Sequence, residues 1–248
     1  MAGLQAFDPI PNDHVPVTAA MADAAEMSLL HMVTTDPART PTFTLFGNPD
    51  FYLFTSANAT ACASLAACSN QQPGFNWNHG DFQEDITRTW LGLVGPGVRP
   101  LGESGETFSD HTDVRPTLLA LAGLKDDYVH DGRVLFEVLQ NSSLPSAVAR
   151  QRATLLRLAD AYKAINAPRG TLGRTSLGLS TRAIAGDEAT YSAYVSHLTA
   201  LITQRDALAA SMIQMLESAA FNNQSIDESQ AQSLISAAQQ LLESISSD

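Results

Sequence analysis

The chain has 248 residues, 44% of them hydrophobic, enough to bury a sizeable core as one large domain or as a domain with an appendage. Fourteen Lys and Arg stand against 26 Asp and Glu, and the resulting formal charge of -12, with no basic cluster to offset it, excludes nucleic acid as the expected partner. No apolar stretch reaches the roughly 20 residues that a bilayer span needs, and the first residues lack the basic-then-apolar order of a signal peptide.

Residues 1–15, with Pro9 and Pro11 and no period, read as irregular. Between Val17 and Met32 the apolar residues Met21, Ala25, Leu29 and Met32 recur at helical spacing, which predicts one amphipathic helix with His31 at its C-terminal end, where a protonated imidazole suits the dipole. In "PTFTLFGNPDFYLFT", residues 41–55, two apolar clusters bracket the turn-forming Gly47-Asn-Pro-Asp50, and a hairpin of two short strands is expected.

Cys62 and Cys68 follow in a small, polar stretch. Their spacing and the lack of a second pair argue against a zinc site, which leaves a small disulfide loop or two free thiols. Then comes "FNWNHGDFQEDITRTWLGLVGPGV", residues 75–98, where the almost wholly apolar Trp90 to Val94 reads as a strand covered on both faces and stopped by Gly95-Pro-Gly97. Asp81, Glu84 and Asp85 read as a solvated charge run. Asp113, with Pro116 and Gly123, marks a helix of about ten residues, acid-capped at its start and glycine-stopped at its end. Asp126, Asp127 and Asp131 read as a solvated acidic loop, and residues 131–139 as a short helix or strand.

After Asn141 the pattern turns helical. Residues 145–166, 187–220 and 227–246 each carry one apolar stripe, and together they predict an antiparallel helical appendage. "RGTLGRTSLGLSTRA", residues 169–183, reads as a mobile loop. The fold class expected is therefore α/β over residues 1–140, followed by an all-α appendage over residues 141–248.

No G-x-S-x-G elbow, H-E-x-x-H pair or Cys-rich cluster is present. Of six histidines, His79 stands out, because Gly80 lets the backbone turn closely and the apolar run ahead offers a rigid frame. His111 lies in Ser-Asp-His-Thr-Asp, where capping of the helix that follows by Thr112 or Asp113 explains the polar residues more simply than a metal site does.

"NHGDFQEDITRTWLGLVGPGV" followed by "DHTDVRPTLLALAGL" resembles the C-terminal part of the alkaline phosphatase superfamily, in the style of its phosphodiesterase and sulfatase-like branches. The resemblance covers roughly residues 38–140 and rests on ordered pieces: His79-Gly80, Leu91 to Val98, and Asp113 to Leu118. It implies a partial alkaline-phosphatase-like sheet. It further implies a phosphate- or sulfate-ester substrate, and His79 as a ligand of a two-metal site, with zinc the expected divalent metal. Asn78, where another motif of the family has Asp, departs from the pattern. The family's nucleophile and further Asp and His ligands have no counterpart here. The chain is thus expected to be a C-terminal fragment or truncated paralogue, inactive alone and completed by an N-terminal chain. The alternative is a non-catalytic interaction module whose long 187–220 helix presents an apolar strip.

Overall fold

The computed structural model describes residues 4–53, Gly74 and residues 81–246. These residues are 55% helical, with small antiparallel two-stranded sheets and a long C-terminal helical region. The chain divides into two compact units, Met1–Leu91 with Leu177–Val195 and Gly92–Ser176 with Ser196–Asp248, a division that does not follow the expected border at residue 140.

In the first unit the proline-marked N-terminus is ordered, not irregular. Strands β1 (Gln5–Asp8) and β2 (Asp13–Pro16) pair antiparallel with Phe7 opposite His14. The Asp8 carboxylate accepts the Ile10 amide at 2.9 Å, which closes the turn that the two prolines bend. The helix expected from Val17 to Met32 is half strand. β3 (Thr18–Ala22) pairs with β4 (Thr44–Gly47), and only α1 (Ala24–Leu29) is helical. Asp23 switches the conformation: it is extended, and its side chain accepts the Glu26 amide at 2.9 Å, so the helix starts one residue later. The expected hairpin partner of β4, residues 51–53, forms no strand, because β3 already occupies the ladder.

The buried strand expected at Trp90–Val94 is also absent. These residues have no regular secondary structure and no ladder partner among the described residues, with Trp90 88% and Val94 101% exposed. The Gly-Pro-Gly turn does not end a strand but leads into one isolated bridge, Val98 opposite Leu139, where the Arg99 amide donates to the Val138 carbonyl at 2.8 Å. An alkaline-phosphatase-like sheet is not among the described residues.

In the second unit the expected short helix is α3 (Val114–Ala122), after α2 (Glu84–Thr87) of the first. Gly123 stops it in the left-handed conformation at φ 66°. The predicted 145–166 helix is interrupted at Gln151 into α4 (Ser146–Arg150) and α5 (Arg152–Asn166). Gln151 donates to the Ile226 carbonyl at 2.9 Å and accepts the Ile226 amide at 2.8 Å. Residues 171–185 are helix α6 rather than a loop, followed by α7 (Glu188–Asn222) and α8 (Glu228–Ser246). Small hydroxyl residues disguised α6: Ser176 and Ser180 are wholly buried beside Leu172 and Leu177, and Ser176 turns its hydroxyl back on the Gly173 carbonyl at 3.1 Å.

Helices α5 and α8 pack together, burying Leu155, Leu158 and Ile165 from one and Ile235, Ala238 and Leu241 from the other. Among the described residues no large apolar side chain after Val129 is exposed, so the apolar strip expected on the long helix is covered.

Candidate functional site

His79, with Asn78 and Gly80, lies outside the described residues, as do Cys62 and Cys68. The segment that resumes at Asp81 is anchored on the end of β4. The Phe82 ring lies 5.2 Å from that of Phe46, and the Gln83 amide donates to the Gly47 carbonyl. A side chain added at Gly47 would come within 3.5 Å of Asp81 Oδ2, so Asp81 sits against the strand end. Three residues beyond Gly47, Asp50 meets Asp8. Desolvation and a hydrogen bond shared with the Asp8 carboxyl push the Asp50 carboxyl above its ordinary value, with Asp85 adding repulsion. Glu84 and Asp85 are exposed, as expected. Among the described residues no three His, Cys, Asp or Glu side chains converge as a metal site needs.

His111 is exposed and opens a single 3-10 turn, His111–Asp113. The cap of that turn is Asp110, not Thr112 or Asp113 alone. Asp110 accepts the Thr112 amide, while Asp113 reaches back to the Asp110 amide at 3.0 Å, a reciprocal capping box. This box is part of a buried polar knot. Asp113, fully buried, also accepts the Arg133 amide at 2.8 Å and the Lys163 ammonium at 3.1 Å. Lys163, on α5, donates in addition to Asp110 at 2.7 Å. The Arg133 guanidinium, also buried, grips Glu137 through two bonds of 2.6 Å. Thr117 accepts the Leu135 amide at 3.0 Å, and the Tyr162 hydroxyl donates to the Asp131 carbonyl at 2.8 Å.

Burial opposes the charge on Asp110, but Lys163 and the Thr112 bonds outweigh it and hold that carboxyl below its usual range. For Asp113 burial wins and pushes the carboxyl up, despite the same ammonium. Two carboxylates around one ammonium leave an excess negative charge, and the deeper acid, Asp113, is the one that burial makes easier to protonate. The arrangement ties residues 108–117 to residues 131–137; within it Arg133 Nε is buried without a hydrogen-bond partner.

In the acidic loop after α3, Asp127 and Asp131 are exposed as expected, but Asp126 is bonded. Asp126 takes the Arg115 guanidinium on one oxygen and, on the other, Nε2 of the buried His130 at 3.0 Å. The pair borders a cavity of about 260 Å³, lined in part by Lys125, Tyr128, Gln214 and Glu217. Sequence reasoning passed over His130. Its only signal was the i, i+4 relation to Asp126, which outside a helix predicts no contact.

Comparison with family models, with curated proteins and with solved structures finds no match for this chain.

Proposed function

We propose that this chain supplies the C-terminal portion of a metal-dependent phosphoesterase of the alkaline phosphatase superfamily, with His79 as one metal ligand, and that it works with a complementing polypeptide rather than alone. The observation that carries the reading is the run Trp90–Val94. Five residues, four of them apolar, stand without a ladder partner among the described residues and largely uncovered where the family pattern expects a buried strand. An unpaired strand-like segment of that composition calls for a neighbouring strand, and the complementing chain provides it.

The facing Asp8 and Asp50 carboxylates suit a cation. Asp50 is already pushed up by burial and by Asp8, and a divalent ion beside it would relieve the repulsion. A bound zinc would polarise the phosphoryl oxygen and stabilise the attacking and leaving oxygens. In this reading the imidazole of His79 holds the ion and Asp81, two residues on, orients the ring. The nucleophile and remaining ligands belong to the partner. The polar knot of residues 108–137 serves as a rigid strut with no part in the chemistry.

Isothermal titration of the full chain with zinc chloride tests the ligand assignment. Wild type is expected to bind zinc, His79→Ala to lose about tenfold or more in affinity, and neither protein to hydrolyse bis(p-nitrophenyl) phosphate. Equal zinc affinity of the two proteins, with circular dichroism confirming that both are folded, overturns the reading.

A further inference from the structure

Two charged side chains that line the cavity by the acidic loop and the end of α7, Lys125 and Glu217, have no oppositely charged partner among the described residues. Asp126 is matched, by Arg115 and His130. Lys125 is not: its ammonium donates to the neutral side-chain oxygen of Asn222 at 2.8 Å. Glu217 is its counterpart. Oε1 is buried yet accepts no hydrogen bond, an expensive state for a carboxylate oxygen. No ion pair joins Lys125 to Glu217, although both line the same cavity.

An ammonium and a carboxylate that line one cavity without pairing with each other are complementary to a ligand that carries both signs. We infer that this cavity binds a small zwitterion of the amino-acid class, its ammonium on Glu217 and its carboxylate on Lys125. Three further features fit. Glu217 and Asn222 lie in the last turns of α7, where the helix dipole adds negative potential that favours an ammonium. The rings of Tyr128 and Phe221 line the wall, and they suit the short hydrocarbon stem between the two charges. The volume of about 260 Å³ equals roughly eight or nine waters at liquid density, room for an amino acid and little more. The site is independent of His79 and of the proposed phosphoesterase role.

The experiment is a calorimetric titration of the full chain with glycine and with 4-aminobutyrate, using butylamine and butyrate as single-charge controls. At least one zwitterion is expected to bind, and each control to bind about tenfold more weakly or not at all. Glu217→Gln preserves shape and removes the charge, so it is expected to cost about tenfold or more in affinity. Lys125→Gln, at an exposed position, is expected to weaken the zwitterion and leave butylamine unchanged. Absence of binding by both zwitterions overturns the inference. So does butylamine binding as tightly as 4-aminobutyrate, or a folded Glu217→Gln protein that binds as wild type does. If Glu217→Gln does not fold, Lys125→Gln decides: unchanged zwitterion affinity overturns the inference.

Discussion

Two parts of the second unit, residues 92–139 and the helices α4, α5 and α8, are built on opposite plans. The helices bury leucine, isoleucine and alanine and, Lys163 apart, keep their charges out of the core, and none of their large apolar side chains is exposed. The earlier segment keeps one apolar cluster, Val134, Leu135, Phe136 and Leu139, but it also buries Asp113, His130 and Arg133, while Val94, Leu101, Phe108, Leu118, Leu124 and Val129 stand exposed. Helices packed on apolar stripes tolerate a varied surface, because the driving force is area. A segment with little regular structure has no such stripe, so it is fastened at points, each of which needs a particular atom. The difference teaches that the two parts will fail differently.

The largest effect is expected where the two plans meet. Lys163 lies on α5 but serves the knot, and its side chain is 2% exposed. Lys163→Met would leave Asp110 and Asp113 facing each other without a counter-ion, at a cost of about 3–5 kcal/mol, read as a lower urea midpoint at unchanged slope. Gly132→Ala comes next. A Cβ there would lie 2.1 Å from the Thr112 carbonyl, a contact that backbone cannot relieve by rotating a side chain. About 1–3 kcal/mol is expected, and thermal unfolding checks it. A near-neutral outcome for either would mean that the segment is not held by these points.

The contrast also explains what could be read in advance. The stripes of α5, α7 and α8 and the Asp–Pro–Gly punctuation of α3 were legible because a period of 3.6 and capping chemistry are local properties. The knot was not, because its partners lie far apart in sequence: Asp113 meets Arg133 and Lys163 across 20 and 50 residues. Helix α6 was missed for a related reason, since serines at its buried positions carry no hydrophobic signal. At Val17–Met32 a helical period was present but β3 found a ladder partner in β4, so tertiary pairing overrode it. The candidate ligand His79 stood out by its neighbours, whereas His130 had no local mark at all.

The first unit has its own point fastening, and pH should expose it. The Tyr191 hydroxyl donates to Asp23 at 2.6 Å, and that bond, with some desolvation, pushes the tyrosine up to about 12 from its ordinary 10.0. Because the folded value is the higher one, the stabilisation is complete below pH 10.0 and is lost as pH rises through about 12. Tyr191→Phe should cost about 1 kcal/mol or less at neutral pH and flatten this alkaline loss. Absorbance titration of the tyrosines and thermal unfolding across that range measure both. Tyr194, raised by burial and by Glu26, shifts in the same direction, so the residual slope in Tyr191→Phe reports on it.

The smallest effect is expected at the most hydrophobic-looking place in the sequence. Trp90→Ser and Val94→Ser remove large apolar groups, yet both side chains are already in water, 88% and 101% exposed, and folding transfers little of their surface. Each should change unfolding stability by about 0.5 kcal/mol or less. A loss of about 2 kcal/mol or more would instead mean that the isolated chain already covers these residues in solution. The uncovered strand edge that motivates a complementing polypeptide would then not exist. The two serine variants therefore weigh the functional proposal by a stability measurement alone, without knowledge of substrate or metal.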